Sequence, residues 1–378
     1  MHLFVDISSH GFGHFAITAP VLNAVAEMCP DLRLTIRSGL PAAKLAQRIR
    51  PPFAHIAAAS DFGYVMHDAL SIDLAATADF YRAAHADWPA RVAAEASFLE
   101  HLRPDVVLSN VSCLPLAGAA AAGIPGLAIC SLNWAELFAH FFGQEDWAPS
   151  IHGEMRDAYR AAGKFIRITP AMAMADLTNT VTVGPVASLG RRRELGLNGD
   201  KAVLIALGGI DHHLPVDHWP RLPGVRWLVA EHWQCTHPDA IPYERFGLSF
   251  TDLLCSADAI VTKPGYGTFT EAACNGTPVL YQRRADWPEQ DCLIDWLHDH
   301  GRRRSGGWRP VRAARRTLAA NAAAAAASRR HARRCRNHLR IISPGADASD
   351  CRVNWRSKFM SCARASRSRA LRTTSANT

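Results

Sequence analysis

The sequence predicts an α/β protein made of two Rossmann-like, doubly wound domains followed by an irregular basic tail. Three observations predict it. Apolar runs of strand length alternate with helical patterns through the first half, a second such series begins near residue 201, and apolar periodicity stops after about His300. Strands that alternate with helices form a parallel sheet covered on both faces. A chain of 378 residues is long enough for two domains with separate cores.

In order along the chain, the first strand is His2 to Ile7, followed by a glycine-containing loop and an apolar helix that ends before Pro30. Further strands are expected at Leu32 to Ile36, Asp105 to Leu108, Leu127 to Cys130 and Val181 to Val183. A long amphipathic helical region from about Ala78 to Leu102 breaks near Pro89. Val106 to Trp134 carries no charge and is long enough to raise the question of a membrane span. Pro115 and Gly123-Ile124-Pro125-Gly126 divide it instead into strand, Ala-rich helix and strand. The pattern stops at Gly184-Pro185, and Ala187 to Asp200, with Arg191-Arg192-Arg193, reads as an interdomain connection. The expected domains are therefore 1–187 and 201–300, joined by 188–200. Strands of the second are expected at Ala202 to Ala206, Arg226 to Ala230, Ala259 to Thr262 and Val279 to Tyr281.

Charge separates the tail from the rest. Region 301–378 holds 20 of the 42 Lys and Arg but two of the 34 Asp and Glu, so it carries +18 and the preceding 300 residues −10. Residues 311–340 are helical on propensity alone and the remainder reads as disorder. A sharper expectation is an out-of-frame translation, because GC-rich codons in a shifted frame yield Arg, Ala, Ser and Gly. Translating the gene around codon 300 in all three frames tests it. Only Trp308, Trp355 and Phe359 interleave the tail's charge, so nucleic-acid binding there would be non-specific. Ten cysteines without Cys-x-x-Cys spacing point to reduced thiols and, with no signal peptide, to a cytoplasmic protein.

The most informative segment is Ser256 to Leu293, in which a strand enters a glycine loop and a helix leaves it: Thr262-Lys263-Pro264-Gly265-Tyr266-Gly267-Thr268-Phe269-Thr270-Glu271. Gly265 and Gly267 allow close backbone approach, and a helix starting after Thr268 would present free N–H groups and its positive dipole end to a phosphate. Glu271 could accept from two ribose hydroxyls. Thr268-x-x-Glu271 is equally a capping box, with both side chains spent on backbone donors. Gly208-Gly209, after the strand at Ala202, is either a second backbone cradle or a plain turn. Asp211-His212-His213 with His218 lacks a zinc spacing and reads as a solvated loop, so no metal is expected.

This run, with Gly276-Thr277-Pro278 and Trp287-Pro288-Glu289-Gln290-Asp291, resembles the carboxy-terminal domain of GT-B glycosyltransferases. It is most similar to the family that adds N-acetylglucosamine during peptidoglycan synthesis and to the glycosyltransferase-like amino-terminal region of plant-type arabinokinases. The likeness covers roughly positions 1 to 300. It implies a GT-B fold and a nucleotide-sugar donor, expected to be UDP-linked, with no cofactor and no catalytic metal. Gly267 and Thr268 would approach the diphosphate together with Gly265, Tyr266, Gly208 and Gly209, Glu271 would hold the ribose, and Glu289 or Gln290 would touch the sugar hydroxyls.

His10-Gly11-Phe12-Gly13-His14 lies between the first strand and first helix, where open α/β sheets place their crevice. As a dinucleotide fingerprint it is weak, with two glycines and no acidic residue at the expected distance. It resembles the acceptor-side loop of GT-B enzymes, which a Gly-His pair ends. His14 is the candidate base for an inverting transfer, since an unperturbed histidine titrates near ~6.5. The competing reading is that His14 caps or packs at its helix start. Relatives pair this histidine with an aspartate; here Pro104-Asp105-Val106-Val107-Leu108-Ser109-Asn110 ends in Asn110, which can orient an imidazole without stabilising its charge.

The leading expectation is thus an inverting, metal-independent glycosyltransferase moving a sugar to a hydroxyl acceptor that the sequence does not identify. The alternatives are a GT-B-type epimerase or hydrolase, and a non-catalytic nucleotide-sugar-binding module. No transmembrane segment is expected; peripheral membrane contact is left open, as is the oligomeric state.

Overall fold

The computed structural model describes residues 1–210 and 212–300. The Arg- and Ala-rich region 301–378, with its expected helix, disorder and shifted frame, lies outside the described residues, as does Asp211. The described chain divides into two units: Met1–His67 with Ile72–Val186, and Asp68–Ser71 with the residues from Ala187 onward.

In the first unit the elements follow as β1 (His2–Ile7), α1 (Gly13–Met28), β2 (Arg33–Arg37), α2 (Ala42–Ala46), β3 (Ala54–Ile56), α3 (Leu74–His85), α4 (Trp88–Leu102), β4 (Val106–Asn110), α5 (Leu114–Ala121), β5 (Gly126–Cys130), α6 (Trp134–Phe142), α7 (Ala148–Ala161), β6 (Lys164–Ile168) and β7 (Thr180–Val183). They build a seven-stranded sheet in the order β3-β2-β1-β4-β5-β6-β7, every pair parallel. Central β1, β4 and β5 are buried along their whole length, as doubly covered strands must be. The charged residue inside β1 is compensated: Arg37 Nε meets Asp6 at 2.6 Å, and its two terminal nitrogens hold Glu95 of α4 at 2.8 and 2.7 Å. The two carboxylates keep Arg37 firmly cationic against its burial.

The second unit contains β8 (Lys201–Ile205), β9 (Val225–Val229), β10 (Ala240–Pro242), α8 (Phe250–Ser256), β11 (Ala259–Thr262), α9 (Tyr266–Asn275), β12 (Val279–Tyr281) and α10 (Glu289–His300). Its five parallel strands lie in the order β10-β9-β8-β11-β12. Trp227, Val203, Ala259 and Val261 form the core on one face, and Asp68–Ser71 belongs here, with Ala69 fully buried against that face.

Several expectations are corrected. α3 starts at Leu74 rather than Ala78, because the Asp73 carboxylate accepts from Ala76 N at 2.9 Å and caps the helix there. The helical break falls at Ala86 and Asp87, and Pro89 lies in the first turn of α4, where its missing N–H costs nothing. β6 escaped notice because Lys164 and Arg167 interrupt its apolar run; the Arg167 guanidinium donates to Thr182 Oγ1 on β7. The stretch after Ala187 is held along α8 and α9: Gly190 N donates to Asn275 Oδ1, and Arg193 N to Ser256 Oγ, each at 2.8 Å. No helix among the described residues is long and apolar enough to cross a membrane.

In both sheets the chain builds outward from one strand, then returns to its other side. The reversal falls between β1 and β4 in the first unit, and between β8 and β11 in the second. Open parallel sheets bind ligands beyond the carboxyl ends of such strand pairs. The sequence motifs sit at those ends.

Candidate active site

Beyond β1 and β4, His14 and Asn110 are brought together although 96 residues separate them. His14 is the second residue of α1 and 6% exposed; Asn110 ends β4 and is fully buried. His14 Nδ1 lies 2.9 Å from Asn110 Oδ1. The Asn110 amide nitrogen donates to Thr18 Oγ1 at 2.9 Å and faces His14 O at 3.4 Å, so the network assigns Oδ1 to the histidine side. Nδ1 therefore carries the proton and donates, which leaves the Nε2 lone pair for another partner. Burial, opposed only by the Asn110 contact, pushes the His14 pKa down to about 4. The capping reading of His14 fails, because Phe12 occupies the cap position and no side chain completes it.

His10 sits half-buried in the same loop, where Gly11 turns the backbone at φ +74° and Gly13 opens α1. His10 Nδ1 accepts from Tyr64 N at 3.4 Å. Gly63 lies flat on the imidazole: a Cβ there would stand 2.7 Å from His10 Cγ. The Trp134 ring meets both histidines edge to face, at 5.5 Å from His10 and 5.4 Å from His14. Its indole nitrogen donates to Asp61 Oδ2 at 2.7 Å, and Ser8 Oγ donates to Asp61 Oδ1 at 2.9 Å. Sequence reading missed Asp61 and Trp134; Asp6, a charge inside an otherwise apolar strand, was the signal that a polar network gathers here.

Beyond β8 and β11, Lys263 is the residue the sequence reading passed over. Its ammonium stands between the two glycine loops: a Cβ at Gly208 would lie 4.0 Å from Nζ, and one at Gly265 3.7 Å from it. Gly208 takes φ +92° and is exposed with Gly209. Burial lowers the Lys263 pKa to about 7, neighbouring Arg284 adds to this, and Glu289 opposes it. Arg284, also buried, falls to about 10 for the same leading reason and stacks 3.8 Å over the Trp287 ring.

α9 starts three residues earlier than expected. Gly265, in extended backbone, is its cap residue and supplies no side-chain acceptor, so Tyr266 and Gly267 open the helix and Thr268 lies third within it. This excludes the capping box, since Thr268 is already helical. Glu271 lies in the second turn and is 2% exposed. Glu289 and Gln290 begin α10, both buried. Glu289 accepts from Trp287 Nε1 at 3.2 Å, and the Gln290 amide clasps the Arg284 backbone at both ends, accepting from N at 3.0 Å and donating to O at 3.3 Å. Of the histidines near Asp211, His212 faces Asp68 at 3.7 Å, His213 packs on Trp233, and His218 is exposed.

No family model matches the chain. L-arabinokinase of Arabidopsis thaliana is 24% identical over 303 residues, which cover 77% of this chain and 29% of the relative; the chain spans less than a third of that protein's length. Similar solved structures include the glycotransferase of kitacinnamycin (16% identity, 97% of each chain, TM-score 0.54) and TcCGT1 in complex with UDP (14%, 96% and 99%, TM-score 0.54). Another is UGT89C1 of Arabidopsis thaliana complexed with quercetin (16%, 86% and 90%, TM-score 0.51). The class defined by these likenesses is the GT-B fold. The chain is a GT-B-fold protein whose two Rossmann-like units each carry a polar constellation at the switch point of their sheet.

Proposed function

We propose that the chain is a metal-independent, inverting glycosyltransferase that takes a sugar from a UDP-linked donor and passes it to a hydroxyl acceptor. The observation that carries this reading is the Lys263 ammonium poised between the Gly208 and Gly265 loops at the uncapped start of α9. Backbone donors, a helix dipole and a half-buried cation converge on one place, and a diphosphate satisfies all three. Such preorganised positive charge also stabilises the departing diphosphate, the task a metal performs elsewhere. Solved relatives of the same fold hold UDP and DTDP, which supports a nucleoside diphosphate as ligand. On the acceptor side, the free Nε2 of His14 is set to accept the hydrogen bond of the attacking hydroxyl.

Melting the full-length protein against a panel of nucleotide sugars tests the reading. A ligand at 100 times its dissociation constant adds about 2.7 kcal/mol, so a true donor raises the melting temperature by several degrees and identifies its base. No shift with any nucleoside diphosphate or its sugar would overturn it. His14→Ala should keep the shift and lose transfer; loss of both would make His14 structural.

A further inference from the structure

Behind His14 stands an amide where a charge would help, yet a carboxylate lies one indole away. Asp61 follows β3 in a loop, and both its oxygens accept from neutral donors, Ser8 Oγ and Trp134 Nε1. Among the described residues no Lys, Arg or His stands within ion-pair distance of it. The same Ser8 hydroxyl lies 3.3 Å from His10 N, and the same indole touches the rings of His10 and His14. Asp61 is thus tied to the catalytic loop through two separate partners, while part of its own surface stays open. A carboxylate offers about four acceptor positions, of which two are taken.

We propose that Asp61 is a second proton-accepting residue of the acceptor site, binding the hydroxyl of the acceptor and receiving its proton during transfer. The inference rests on the glycosyl-transfer reading. As the hydroxyl oxygen bonds to the anomeric carbon, the bond from that carbon to the diphosphate oxygen breaks and its electron pair leaves with the diphosphate. The hydroxyl's single proton, for which His14 Nε2 and Asp61 compete, passes to the Asp61 carboxylate, the stronger base of the two. The groups facing Asp61 favour this: Asp6 on β1 repels its charge, Arg37 on β2 is committed to Asp6 and Glu95, and Tyr81, Tyr159 and Cys113 are neutral neighbours on α3, on α7 and before α5. Burial and Asp6 push the Asp61 pKa up to about 7, where a carboxyl group can both hold and release a proton at neutrality. His14, lowered to about 4, holds a proton poorly under the same conditions.

The test uses the full-length protein with UDP-glucose as probe donor and water as probe acceptor, following UDP release from pH 5.5 to 8.5. The wild-type rate should rise with pH around a midpoint near 7. Asp61→Asn, whose amide can still meet Ser8 and Trp134, should lose that limb and about a hundredfold or more of kcat, while retaining the UDP-glucose melting shift. Independently, the Trp134 indole N–H signal, assigned among ten tryptophans by Trp134→Phe, should titrate near pH 7 in the wild type and stay fixed in Asp61→Asn. Wild-type turnover or an unchanged pH limb in Asp61→Asn would overturn the proposal, as would an indole signal that ignores pH. A wild-type protein that shows no melting shift with UDP-glucose or with any other nucleoside diphosphate or its sugar would instead strike the glycosyl-transfer reading, and this inference with it.

Discussion

The His14 ring is held at 2.9 Å by Asn110, and the Asn110 amide nitrogen faces Thr18 and the His14 carbonyl. Replacing that amide by a carboxylate changes two things at once. Asn110→Asp brings a negative charge against Nδ1, which should raise the His14 pKa from about 4 by stabilising imidazolium. It also removes the donor to Thr18 and points an oxygen at the His14 carbonyl, costing about 1–3 kcal/mol of stability. Titration of the histidine signals and a melting curve check the two effects separately.

Lys263 should govern donor affinity in a pH-dependent way. Its ammonium is largely present below pH 7 and largely absent above it, so binding of UDP should weaken as pH rises from 6 to 8, and a bound diphosphate should raise the pKa that drives this. Lys263→Met should weaken UDP about ten- to a hundredfold at pH 6, the scale of one charge-assisted hydrogen bond. The same variant should melt later than the wild type without ligand. The lysine's folded pKa is depressed, so wild-type stability falls as pH drops from the unfolded value toward 7, and Met removes that penalty. Equal affinity at pH 6 and 8, measured by calorimetry, would remove Lys263 from the site.

Gly208 sits at φ +92°, outside the range an L side chain adopts comfortably. Gly208→Ala should cost about 1–2 kcal/mol of stability through backbone strain, and its Cβ would stand 4.0 Å from Lys263 Nζ, in the space the proposed diphosphate needs. Reduced donor-induced shift together with a lower melting point is the expected pair of results. Gly247→Ala, also at positive φ but away from the glycine loops, serves as the control: lower stability with the donor shift kept.

How much of this was legible depended on whether the signal was local. β1, β11 and β12 are mostly apolar runs of strand length, and their limits are as the sequence implies. β6 was hidden because Lys164 and Arg167 interrupt its apolar run, and β3 and β10 are three-residue edge strands with almost no pattern to read. The capping box misled because Thr-x-x-Glu spacing is the same at a cap and one turn inside a helix; only the extended conformation of Gly265 distinguishes them. The His14–Asn110 pairing could be anticipated from two loop motifs at the ends of adjacent strands. Asp61 meeting Trp134 could not, because the two are 73 positions apart and neither carries a motif. Lys263 had a readable signal, a lysine directly after an apolar strand and before Pro-Gly, and was overlooked beside the glycines.

The Asp6–Arg37–Glu95 cluster includes Asp6 of the strand that leads into the His10–His14 loop, and its removal should be felt as stability before activity. Arg37→Met leaves two buried carboxylates facing each other without a cation, a change that costs about 3–5 kcal/mol when a buried pair is broken from one side. With Arg37 gone, both carboxylates should titrate at raised pKa, so the loss is complete at pH 8, where they would be charged, and shrinks toward pH 5, where they bind protons. Melting curves of Arg37→Met at pH 5 and 8 should therefore converge on and diverge from the wild type, respectively. Adding Asp6→Asn and Glu95→Gln to Arg37→Met should recover part of the pH 8 loss, because neutral amides need no counter-charge. A pH-independent deficit would mean that Arg37 acts through its stacking on Phe4 and Phe98, at 5.2 and 5.4 Å, rather than through charge.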